Sequence, residues 1–116
     1  MSLARRWPAL QRLATGLLLL ATAAPAWSAE PAQLALGREL FTKTAVPACA
    51  LCHTLQDAGS AGAVGPVLDE LKPDAARVAK ALRGGIGAMP SYQGKLSDAQ
   101  IAALAAYVAQ ASGADP

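Results

Sequence analysis

This sequence is poor in the residues that usually fill or staple a small fold. Aromatic side chains make up 4% of its 116 residues, cysteine occurs twice and histidine once. Two cysteines cannot form the dense disulfide framework of a small secreted scaffold. Two cysteines and one histidine also fall short of the four Cys or His ligands that a structural zinc site uses. No segment alternates apolar and polar residues over strand length, which excludes a sheet-based fold. Acid is missing from the first 29 residues, whereas Arg5, Arg6 and Arg12 all lie near the start.

That asymmetry, followed by an uncharged stretch over residues 13–29, is the layout of a secretory signal peptide. Its apolar centre, residues 13–24 with the run Leu17-Leu18-Leu19-Leu20, is shorter than the roughly 20 residues of a membrane-spanning helix. Small residues at Ala24, Ala26, Ser28 and Ala29 offer the spacing that a signal peptidase reads. We therefore expect residues 1–28 to be a cleaved leader and residues 29–116 to be the working domain, periplasmic and without a membrane span after processing. An uncleaved anchor is the competing reading, and Pro25 counts against it. Without the leader, seven cations (Arg38, Lys43, Lys72, Arg77, Lys80, Arg83, Lys95) face all eight acids, a net charge of −1. The positive balance of the precursor belongs to the leader, so neither nucleic acid nor an anionic membrane surface is implied as a partner.

A domain of roughly 90 residues has a thin core unless a disulfide, metal or cofactor adds to it. Beyond the leader the aromatics are Phe41, Tyr92 and Tyr107, and much of the apolar content is alanine. A bulky cofactor is expected to fill the centre. The pattern reads as all-α, with three to four short helices. Residues 33–42 form the first, with Leu36 and Leu40, and also Leu34 and Phe41, on its apolar side. Residues 57–65 are loop by composition and would hold no fixed conformation without support. Pro73 suits the first position of a further helix and Gly84-Gly85 its stop, with Val78 and Leu82 on one face. Residues 84–94 form a second glycine-rich loop. Ser97 and Gln100 make a capping box ahead of Ile101, Leu104, Ala105 and Val108, in a helix ending near Ser112-Gly113.

The chemistry sits in Cys49-Ala50-Leu51-Cys52-His53. Thiols at this spacing can add to the two vinyl groups of a haem, and the next residue's imidazole then lies under the iron. Two other readings compete: a thioredoxin-like redox pair, which needs a βαβ setting that is absent, and a structural disulfide, which would constrain the unfolded chain little. As proximal ligand, His53 binds iron through one ring nitrogen and donates from the other to a backbone carbonyl. A second histidine ligand is excluded by the count. Met89, the one methionine after Met1, is a soft donor in a glycine-rich loop and a candidate for the opposite face; the competing reading is core filler.

These parts in this order resemble class I (monohaem) c-type cytochromes: a helix with Gly37 and Phe41, CALCH, Gly65-Pro66, a helix, Met89-Pro90, and a last helix with Tyr107. The resemblance implies the class I cytochrome c fold wrapped around one covalent haem c. It implies a cofactor-binding set of Cys49, Cys52, His53, Pro66 and Met89, with His53 and Met89 on the iron. Pro66 then supplies the carbonyl that accepts the His53 proton, and Gly37, Phe41 and Tyr107 form the contact of first and last helices. CALCHTLQDAGSAGAVGP with GGIGAMPSY looks most like small bacterial cytochromes serving periplasmic sulfite dehydrogenases. The chain departs from many relatives in lacking a tryptophan beyond the leader and a crowd of lysines; Tyr92, Gln93 and Lys95 are candidates for the propionates by position. The cytochrome c′ arrangement is disfavoured because its attachment motif lies near the C-terminus.

Iron with both axial positions filled has no open site, so the expected role is outer-sphere electron transfer, not enzymatic turnover. The expected partners are periplasmic redox proteins: a donor dehydrogenase and an acceptor oxidase or cytochrome. A tightly held haem subunit of a dehydrogenase or oxidase is an alternative. A haem peroxidase or gas sensor is another, which would require Met89 to leave the iron. The segments expected to rim the haem edge, around Val46, Leu51 and Ile86, carry no charge, which favours apolar docking.

Overall fold

Pro31 stands at the start of the first helix, α1 (Pro31–Glu39), where its missing N–H has no intrahelical partner to lose. The computed structural model describes residues 16–21 and 29–115. The expected leader, residues 1–28, and its expected processing positions therefore lie almost wholly outside the described residues. Among the described residues, no helix is long and apolar enough to cross a membrane.

α1 continues without a break into a π-helical turn, Leu40–Thr44, closed by the Ala45 N–H donating to Leu40 O at 3.1 Å. The wider turn lets two successive large residues, Leu40 and Phe41, both point inward; they are 2% and 1% exposed. Leu36, expected on the apolar side, is instead 39% exposed. The buried stripe runs through Gly37, Leu40 and Phe41, with Leu34 half-buried, and Leu36 lies about 100° around the helix from Gly37.

After a 3₁₀ turn at Cys49–Leu51 comes a feature that composition did not reveal. Two short strands, β1 (Thr54–Leu55) and β2 (Ser60–Ala61), pair antiparallel in the register Thr54↔Ala61 and Leu55↔Ser60. The loop segment thus contains half of a hairpin and is not free-standing coil. A single-turn helix, α2 (Leu68–Leu71), follows and ends at Lys72, whose φ of 46° is left-handed. The helix expected to open on Pro73 begins two residues later, as α3 (Ala75–Gly84). Asp74 is the cap, accepting from the Arg77 N–H at 2.8 Å, so Pro73 precedes the cap. An aspartate cap contributes about 1 kcal/mol and outweighs the preference of proline for the first turn. α3 stops at Gly85, with φ 68° and ψ 162°. α4 (Asp98–Ala111) carries the full capping box: Gln100 N–H on Ser97 Oγ, and Ser97 N–H on the Gln100 side chain.

The core forms where α4 meets α1 and α3. Ile101, Leu104 and Val108 are almost fully buried, and so are the small residues Ala103, Ala105 and Ala109. Small residues on α4 matter because α1 crosses it at Gly37, where any Cβ would overlap the carbonyl of Ala103 and the side chain of Tyr107. Just beyond this contact Phe41 and Tyr107 meet edge to face, centroids 6.0 Å apart and planes at 64°, in the arrangement aromatic quadrupoles prefer. Tyr107 is 4% exposed and donates its hydroxyl proton to Asp57 Oδ2 at 2.7 Å. Burial and that hydrogen bond push its ionisation upward. Arg38 on α1 reaches the same carboxylate at 4.0 Å. The first helix, the last helix and the loop after the cysteine motif are thereby joined at one point.

Candidate haem site

The 3₁₀ turn brings Cys49, Cys52 and His53 together: Cys52 and His53 both donate their N–H to Cys49 O, at 3.1 and 2.9 Å. Both thiols are free and half-buried. Cys49 is pushed up from 9.0 to about 11, chiefly by burial; a backbone hydrogen bond opposes the shift and the neighbouring Cys52 adds to it. A thioredoxin-like pair works through a lowered thiol pKa. Cys49 has the opposite environment, which counts against that reading.

His53 faces Pro66. Its Nδ1 lies 2.8 Å from Pro66 O. A carbonyl only accepts, so Nδ1 carries the proton and donates, and Nε2 is the nitrogen left to bind a metal. Room for the ring comes from Gly65, where a Cβ would lie 2.5 Å from Cε1 and 2.8 Å from Nδ1 of His53. Gly62 packs as closely on the backbone: a Cβ there would meet the Cys52 carbonyl carbon at 2.5 Å and the His53 nitrogen at 2.6 Å. Thr54 Oγ1 donates to Gly62 O at 3.0 Å, and the Gly65 N–H to Cys52 O at 2.7 Å. Sequence reasoning passed over Gly62, Ser60 and Thr54. The recurrence of glycine every third residue at 59, 62 and 65 was the available signal, but it reads equally as plain loop composition.

Met89 comes from the other loop. Ile86 and Met89 exchange both backbone hydrogen bonds (3.1 and 2.9 Å), closing a tight turn with φ of 56° at Gly87; a positive φ at the first central position is the hairpin-turn geometry that favours glycine. The loop is fastened to the C-terminal end of α3. Gly85 N–H, Tyr92 N–H and Ser91 Oγ–H donate to the carbonyls of Ala81, Leu82 and Arg83, which the helix itself leaves without partners. Met89 is half-buried against the core. Tyr92, 3% exposed, donates its hydroxyl to Pro47 O, two residues before Cys49. The methionine loop and the attachment motif are therefore tied to each other by one side chain. That hydroxyl is already engaged, while Gln93 and Lys95 are exposed.

Two thiols and an imidazole with Nε2 available lie together in the attachment motif, and the Met89 thioether comes from a second loop tied to that motif through Tyr92. Thiol, imidazole and thioether are the donor types that hold haem c. The residues present fit the group, in a domain whose own aromatics are few.

Comparison with known proteins gives the same answer from outside the site. Residues 32–108 match the family model described as "Cytochrome C oxidase, cbb3-type, subunit III". The chain is 37% identical over 117 residues to a cytochrome c6 of Picosynechococcus sp., an alignment spanning 84% of this chain and 90% of that one. It is also similar to the crystal structure of the c-type cytochrome SorU from Sinorhizobium meliloti, with a TM-score of 0.70 and 55% identity over 72% of this chain and 95% of that chain. The chain belongs to the family of that model, and with its class I fold it is a monohaem c-type cytochrome carrying a covalent haem c.

Proposed function

We propose that the chain is a periplasmic electron carrier whose haem is attached through Cys49 and Cys52 and ligated by His53 and Met89. In this reading it takes electrons from a periplasmic dehydrogenase such as sulfite dehydrogenase and passes them to a terminal oxidase. The carrying observation is the hydrogen bond from His53 Nδ1 to Pro66 O, which fixes the tautomer and leaves Nε2 for iron. The haem, when bound, supplies a reversible one-electron couple. The protein's residues do the rest. Pro66 strengthens the imidazole as a donor through its proton. Met89, as a soft ligand, favours the reduced state. With both axial positions engaged no substrate gains access, so the chain is a carrier and not an enzyme.

Residues 1–28 act as the export leader, and their charge pattern supports this. Partners dock on uncharged surface: Val46, Leu51 and Ile86 are 78%, 68% and 65% exposed, and they lie in or beside the attachment motif and the methionine loop. Such docking gives brief complexes at the small end of interface size. The dehydrogenase is named on the likeness of the CALCH and GGIGAMPSY stretches to cytochromes of that role. A second reading, a haem subunit of an oxidase complex, draws on the description of the matched family.

The experiment is to purify the periplasmic product, weigh it intact and mix it with a sulfite dehydrogenase. The proposal expects a chain beginning between Trp27 and Glu30, heavier than its peptide by one haem, monodisperse on size exclusion and rapidly reduced. A membrane-bound product retaining Leu17 to Leu20, or co-elution with an oxidase, would overturn it.

A further inference from the structure

In the hairpin after the motif, Ser60 stands opposite Leu55. Ser60 Oγ donates to His53 O at 2.9 Å and accepts the Leu55 N–H at 3.0 Å. A hydroxyl offers one donor and two acceptor positions, and here it holds the two peptide groups on either side of Thr54. The N-terminal side of His53 is held independently, by the His53 N–H on Cys49 O and by Gly62 packed against the Cys52–His53 peptide. From a backbone held on both sides, the imidazole rests against Gly65 and reaches Pro66 O. Leu55, whose amide Ser60 accepts, is 0% exposed, so water does not readily replace the lost partner.

We propose that Ser60 is a positioning residue for His53: its hydroxyl fixes the peptide carrying the imidazole and thereby keeps Nδ1 on the Pro66 carbonyl. The inference rests on His53 being the proximal ligand. Ser60 touches neither iron nor haem in this account; it acts through the backbone.

The test uses the haem-loaded protein and the variants Ser60→Ala, Ser60→Thr and Ser97→Ala. Ser97→Ala removes the α4 cap far along the chain and controls for general destabilisation. The readouts are the hydrogen-exchange rate of the His53 Nδ1–H, the ferric electron-paramagnetic signal and the reduction potential. In Ser60→Ala we expect Nδ1–H exchange to rise about tenfold or more as the local structure opens. The ferric signal should change and the potential should move upward, because an imidazole less firmly bound to a carbonyl is a weaker donor to oxidised iron. Ser60→Thr should restore all three, and Ser97→Ala should leave all three at wild-type values. Wild-type values in Ser60→Ala, or equal changes in Ser97→Ala, would overturn the proposal. If Ser60→Ala does not accumulate with haem, exchange in the unsubstituted protein decides: the Leu55 amide and the His53 Nδ1–H should open together, and clearly different opening equilibria would overturn it. Absence of an iron-bound histidine signal in the unsubstituted protein would instead bring down the ligand assignment itself, and the proposal with it.

Discussion

The loop after His53 and the loop carrying Met89 are both rich in glycine, yet they are held in different ways. The first is fixed largely from within: Thr54 bonds Gly62, Ser60 bonds His53 and Leu55, and Gly62 and Gly65 let backbone and ring lie where a Cβ would intrude. The second leans on other elements. It satisfies the last carbonyls of α3 and inserts Tyr92 into the core, whose hydroxyl reaches Pro47. The histidine side is thus held mainly by short-range bonds, while the methionine side, beyond its own Ile86–Met89 turn, depends on α3 and Tyr92.

A substitution at Gly65 should have the larger effect. In Gly65→Ala the methyl group must displace the His53 ring. We expect a loss of about 1–3 kcal/mol in denaturant unfolding, the usual cost of overpacking, together with a raised potential by voltammetry. Gly59→Ala provides the contrast. A Cβ there meets nothing within 4 Å, but φ is 65°, so a cost of about 1 kcal/mol from the left-handed backbone should come with no change of potential. Equal potentials in the two variants would mean that the histidine side is not specially rigid.

The smaller effect is at the methionine side. Tyr92→Phe should lose about 1 kcal/mol by leaving the Pro47 carbonyl unbonded. It should also alter the alkaline limb of stability. Burial pushes the Tyr92 hydroxyl from 10.0 up to about 12, with the charges of Cys49 and Cys52 adding to this while those thiols are free. The folded state therefore keeps a proton that the unfolded chain releases near 10. Stability from this group is complete below about pH 10 and falls as pH rises toward 12. Tyr92→Phe should flatten that fall without abolishing it, because Tyr107 is shifted in the same direction. Chemical unfolding from pH 8 to 12 measures it; an identical fall in both proteins would contradict the burial of Tyr92.

The last helix was readable in the sequence almost residue by residue, because Ser97, Gln100 and the apolar positions after them are local signals. CALCH was readable for the same reason, since the chemistry requires adjacent residues. The order of parts then carried the resemblance to class I cytochromes, and the family and structural comparisons agree with it. What stayed hidden depended on distant partners. Leu36 lies off the buried side because the buried stripe of α1 is set by the Gly37 contact with Ala103 and Tyr107. Pro73 lost the first helical position to the Asp74 cap. The strands at Thr54–Leu55 and Ser60–Ala61 are too short for any alternation to register. Tyr92, a candidate for a propionate by position, turned out to be bonded to Pro47, 45 residues away.

The central claim is that His53 and Met89 together hold the iron. Proton spectra of the reduced, haem-loaded protein test it most directly, compared between wild type and Met89→Ala. The account predicts a methionine methyl signal moved far upfield by the haem ring in the wild type and no carbon monoxide binding at neutral pH. It predicts loss of that signal, ready carbon monoxide binding and a lower potential in Met89→Ala, with haem still covalently attached. A wild type that lacks the shifted methyl signal, or a Met89→Ala protein with unchanged potential, would contradict it.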